Sequence, residues 1–152
     1  MLDVPSHSGL YAADDPAQAV TRAARVAARA CEARGILGFS NSGRTLRLIS
    51  TMRPRRPIWG CTPTARTARR MKFFWGVRPL IIGVSDTVDE MINHAEGLLL
   101  RKRLVRKGDR LVIVCGQAVT TGATNSIHIH TVGEPRGTAR SMAKGHRASR
   151  RR

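Results

Sequence analysis

Four short apolar runs, at residues 36–39, 57–61, 77–84 and 111–115, each follow a segment with helical spacing. A run this short and this uniformly apolar reads as a strand buried on both faces. Strands that alternate with helices predict a mainly parallel sheet with helices packed on it. The last candidate strand, residues 126–132, reads SIHIHTV and alternates with period two, as a half-exposed edge strand does. With no helix between it and the run at 111–115, it is expected to lie antiparallel. The expected fold is a three-layer α/β/α sandwich with a five-stranded sheet, mostly parallel, with its last strand antiparallel.

The helices carry their own signals. Asp14-Asp15-Pro16 marks a start, with an acidic cap and proline in the first turn. The alanine-rich segment that follows puts Ala19, Ala23, Val26, Ala27 and Ala30 on one face, and Gly35 suits a left-handed cap at its end. Helical spacing returns at Thr45 with Leu46, Ile49 and Met52, closed by Pro54, and again over residues 64–71. Pro79 interrupts the third strand. Ser85-Asp86 can cap the clearest helix, whose apolar positions are Val88, Met91, Ile92, Ala95, Leu98 and Leu99 and which runs to about Lys102. Lys107-Gly108-Asp109 makes a turn. Residues 1–13 form a lead-in, 14–132 the folded domain, and 133–152 a basic tail. That tail is rich in arginine, nearly devoid of large apolar residues, and expected to be disordered.

Aromatic residues make up only 4% of the chain, so the core must rest on Ala, Val, Ile and Leu. The 27 Lys and Arg against 10 Asp and Glu give a formal net charge of +17, which favours anionic partners. No acid lies between residues 33 and 85, a stretch that holds Arg34, Arg44, Arg47, Arg53, Arg55, Arg56, Arg66, Arg69, Arg70, Lys72 and Arg78. Cys31, Cys61 and Cys115 are odd in number and far apart, which points to free thiols in a reducing cytoplasm and away from a zinc site. No apolar run is long enough to span a membrane, and no signal peptide is visible. His128 and His130 could share a metal, but without a third ligand nearby they read as two exposed strand histidines. Neither a paired-carboxylate motif nor a nucleophile–base set appears, so no catalytic residue is assigned.

One loop stands out. After the first strand comes Ser40, Asn41, Ser42, Gly43, Arg44 and Thr45, six donors in a row before a helix and none of them negative. Backbone N–H groups at a helix start favour an anion, Gly43 allows close approach, and Arg44 supplies a counter-charge. The alternative is an ordinary capped turn, because the Gly-Lys-Ser/Thr of a Walker loop is absent.

The order of the segments resembles the C-terminal regulatory domain of pyruvate kinase over about residues 14–132. The resemblance rests on SNSGRTLRLIS, RPRRPIWGCTPTARTARRMKFFWGVRPLI, RKGDRLVIVCG and TGATNSIHIHTV. It implies the same α/β/α fold, a domain without an active site, and binding of an allosteric effector such as a sugar phosphate or nucleotide. By this resemblance the loop from Ser40 to Thr45 grips the effector phosphate, and Thr121, Gly122 and Thr124 add secondary contacts. It also implies subunit contacts in an oligomer, or pairing with a separate catalytic-barrel subunit. Relatives that bind fructose 1,6-bisphosphate use an arginine in the long helix and a Trp-Arg loop. Here those places hold Met91 and the loop 117–121, QAVTT, so a monophosphate or nucleotide is equally compatible. The family reaction moves a phosphoryl group from phosphoenolpyruvate to ADP with Mg²⁺ and K⁺ in a barrel. No such cofactor is expected on this chain, and no activity from it alone. The rival reading is a basic nucleic-acid-binding or interaction protein that uses the tail and the arginine-rich stretch 53–78.

Overall fold

The structure is a computed structural model that describes residues 15–115 and 124–135. The expected lead-in, and the tail beyond residue 135, lie outside the described residues.

The elements follow in the order α1 (Pro16–Ala30), β1 (Gly35–Phe39), α2 (Arg44–Thr51), β2 (Ile58–Thr62), α3 (Ala65–Met71), β3 (Val77–Ile81), α4 (Val88–Arg101), β4 (Arg110–Cys115) and β5 (Ser126–Thr131). They build one sheet in the order β3-β2-β1-β4-β5. The pairs β1–β2, β1–β4 and β2–β3 are parallel, and β4–β5 is antiparallel, as the sequence leads one to expect. Pro79 is tolerated because β3 is an edge strand, where a missing N–H breaks no interior ladder.

Each central strand sends alternate residues to opposite faces. Leu37, Trp59, Leu80 and Ile113 face α4, which contributes Ile92, Ala95 and Leu99. Ile36, Ile58 and Val112 face Ala24 and Ala28 of α1, Leu46 and Ile49 of α2, and Met71 of α3. The layers are therefore three helices, the sheet, and one helix.

Several local expectations change. The buried face of α1 is Ala17, Thr21, Ala24 and Ala28, while Ala19, Ala23, Val26 and Ala30 are exposed and Ala27 only partly covered. With alanine at so many positions, two stripes compete. Thr21 can be buried because its hydroxyl donates to the Gln18 carbonyl (3.0 Å). The left-handed place after α1 is taken by Glu32 (φ 50°) and not by Gly35, which opens β1. The cap of α4 is Thr87, whose hydroxyl accepts from Glu90 N (3.2 Å) while Glu90 Oε2 accepts from Asp86 N (3.2 Å). His130 is buried, not exposed: it faces α4 and bonds to the Glu96 carboxylate, while His128 is only partly covered.

Cys61 and Cys115 are buried and Cys31 is partly exposed. Burial also pushes the Cys61 thiol well above its ordinary pKa, leaving it without thiolate at neutral pH. Ellman's reagent should therefore titrate Cys31 alone in the folded chain and all three thiols after unfolding.

Candidate functional site

The loop between β1 and α2 lies where the sheet order reverses. From β1 the chain moves outward through β2 to β3, then crosses back to β4 on the other flank of β1. Outside the carboxyl ends of two parallel neighbours whose connections diverge, a crevice forms, and ligands of open α/β sheets bind there.

The loop is held from three directions. Ser40 N donates to the Cys61 carbonyl (3.0 Å), which extends the β1–β2 ladder by one residue. Thr67 of α3 donates its hydroxyl to the Asn41 carbonyl (2.8 Å). Thr45 is buried and shares a hydrogen bond with the hydroxyl of Thr124, itself buried just ahead of β5. Gly43 takes a left-handed conformation (φ 84°), and an added Cβ would sit 3.4 Å from Thr67 Cγ2 and 3.6 Å from Phe74 Cε2. Glycine is needed there first for its φ.

Two loop hydroxyls bond to backbone at the start of α2: Ser40 Oγ accepts from Gly43 N (2.9 Å), and Ser42 Oγ accepts from Arg44 N (3.3 Å). Gly43, as N-cap of α2, offers no side-chain acceptor to the helix. The first-turn N–H groups of Thr45 and Leu46 have no place in the helical ladder, and both residues are buried, so the positive end of α2 lies beneath the loop. Asn41, Ser42 and Arg44 are exposed around it.

Arg44 also makes an ion pair with Asp15, the residue that caps α1 by accepting from Ala17 N (3.1 Å). The two are 29 residues apart, so nothing in the local sequence announces the pairing. Of the expected secondary contacts, Thr124 is brought to the loop through Thr45, while Thr121 and Gly122 lie outside the described residues. No cluster of three or more His, Cys, Asp or Glu suited to a metal occurs among the described residues. Nor is any helix among them long and apolar enough to cross a membrane.

Comparison with known proteins agrees with this topology. The family model described as the pyruvate kinase alpha/beta domain matches residues 18–130. A pyruvate kinase of Lactococcus lactis is 34% identical over 126 residues, which is 83% of this chain and 25% of that protein. One of Agrobacterium vitis is 35% identical over 122 residues, 80% of this chain and 26% of the relative. One of Methylorubrum extorquens is 34% identical over 112 residues, 73% and 23% respectively. The chain thus spans about a quarter of the length of the curated relatives it matches. By its strand order, its antiparallel last strand and the match over residues 18–130, this chain belongs to the pyruvate kinase alpha/beta domain family.

Proposed function

We propose that the chain is a regulatory domain of the pyruvate kinase type, which senses a phosphorylated metabolite at the β1–α2 loop. The observation that carries this reading is the start of α2, whose N-cap Gly43 has no side chain to cap it, placed at the switch point of the sheet and ringed by Asn41, Ser42 and Arg44. The loop is tied to β2, α3 and Thr124, so little ordering entropy remains to be lost on binding.

Asp15 competes with an incoming phosphate for Arg44. An exposed pair of this kind is worth at most about 1 kcal/mol, so a dianion that also meets backbone N–H groups wins the exchange. Release of Asp15 would pass the event to the first turn of α1. Any contribution to phosphoenolpyruvate turnover would come from catalytic parts supplied by a longer chain or a partner subunit, with this domain also making subunit contacts.

The test is a thermal melt with sugar monophosphates and nucleoside monophosphates. A ligand at 100 times its Kd should stabilise the fold by about 2.7 kcal/mol. For a chain of this size that is a shift of roughly 5–10 °C. Ser42→Ala combined with Arg44→Ala should abolish the shift while lowering the unliganded melt by no more than about 4 °C, both side chains being exposed. An unchanged shift in the double variant would remove the loop as the site. Asp15→Asn keeps a competent helix cap but frees Arg44, and should tighten binding.

A further inference from the structure

At the opposite end of the sheet, the starts of β1, β2 and β3 surround a cavity of about 560 Å³. It is separated from the β1–α2 loop by the length of a five-residue strand, roughly 17 Å. Arg34, Arg55, Arg56 and Arg78 line it together with Trp59 and Trp75, and no acidic residue takes part. None of the four arginines makes an ion pair among the described residues, where the recorded pairs are Arg44–Asp15 and His130–Glu96. Four arginines lining a concave site without a carboxylate give it a positive potential that favours an anion.

The walls are ordered. Arg34 Nε donates to the Leu104 carbonyl (3.2 Å), which holds one guanidinium in place. Trp75 is half exposed, its carbonyl accepts from Ser50 Oγ (2.8 Å), and Arg53 lies over its ring at 5.9 Å. Trp59 is 1% exposed, and its Nε1 meets no acceptor among the described residues. A fully buried indole N–H without a partner is unusual in a finished core.

We infer that this cavity is a second ligand site, which takes a small molecule carrying a carboxylate or phosphate on a flat apolar body. The arginines meet the oxyanion, and the exposed face of Trp75 with Pro54 and Pro57 meets the apolar part. The arrangement is independent of the β1–α2 loop and shares no residue with it.

Trp59 and Trp75 are the two tryptophans of the chain, so indole fluorescence excited at the red edge reports on this site directly. The probes are phenyl phosphate, benzoate and the neutral benzyl alcohol, titrated into the full chain. Saturable change with phenyl phosphate or benzoate, and none with benzyl alcohol, is expected; the stronger of the two identifies the headgroup. Arg55→Gln with Arg56→Gln should weaken binding at least tenfold, and Arg78→Gln should do likewise. Arg44→Ala should leave it unchanged, which separates this site from the loop. The proposal is overturned by an equal response to benzyl alcohol, by no response to either anion, or by undiminished binding in the arginine variants. It is equally overturned if only a single-stranded oligonucleotide responds, with steep salt dependence, since that would make the patch a nucleic-acid surface.

Discussion

Gly35→Ala should be among the most damaging single-methyl changes in this chain. The Cβ it adds would stand 2.3 Å from Trp59 Cζ3, 2.7 Å from Cη2 and 2.9 Å from the Pro57 carbonyl oxygen. The ring is fully buried against β1 and cannot swing aside, and the Pro57 carbonyl is already the acceptor for Ile36 N (3.0 Å). Relief requires β1 and β2 to part at their first register pair, Ile36 with Ile58. Overpacking of this kind costs about 3 kcal/mol. Calorimetry should show a fall in Tm of roughly 6–12 °C for a chain of this size. Because Trp59 is the residue displaced, the variant should also show altered tryptophan emission in its native state. A variant that melts as the parent does would mean that the approach of β1 and β2 is looser than the packing indicates.

Removing Glu96 should come close in size, for a different reason. From α4 its carboxylate reaches across to the buried His130 of β5, and its other oxygen accepts from Gly133 N (3.1 Å) in the turn that follows. The antiparallel edge strand pairs with β4 alone, so this tie is its main side-chain anchor to the helical layer beneath it. Glu96→Ala leaves an imidazole, 7% exposed, and a backbone N–H without their acceptor. Gly133 is exposed and its N–H can turn to water, so the buried imidazole carries most of the loss, about 1–3 kcal/mol. Glu96→Gln, which keeps an acceptor for one of them, should recover a good part. Hydrogen exchange should distinguish the effect from a general loss of stability: protection should fall first in β5 and only later in β1 and β2.

Much of the architecture is readable along the chain. Short apolar runs between helical segments identify the strands, because a strand buried on both faces admits almost nothing else. The lack of helical spacing between residues 115 and 126 points to an antiparallel last strand. The donor-rich loop after the first strand is visible as well, since six consecutive residues carry it. Other features escape local reading. In α1, alanine at seven of fifteen positions allows two stripes, and only the docking of Ala24 and Ala28 on the sheet selects one. Gly35 looks like a helix cap until Trp59, 24 positions later, is seen against it. His130 looks exposed until α4 supplies Glu96. The arginine cavity is legible only in part: most of its lining falls within the arginine-rich stretch 53–78, but Arg34 and Leu104 join it only in the fold.

The division has a physical basis. By itself the sequence determined what depends on neighbours within a turn or a pleat: where strands and helices form, where caps sit, and that a basic chain with an acid-free middle will seek an anion. Tertiary structure alone decided which partner each polar group met: Asp15 for Arg44, Glu96 for His130, Thr124 for Thr45, and none for Trp59 Nε1 among the described residues. Those pairings join segments tens of residues apart. They depend on the strand order, which sequence periodicity leaves open, because β1, β2 and β4 are apolar in the same way.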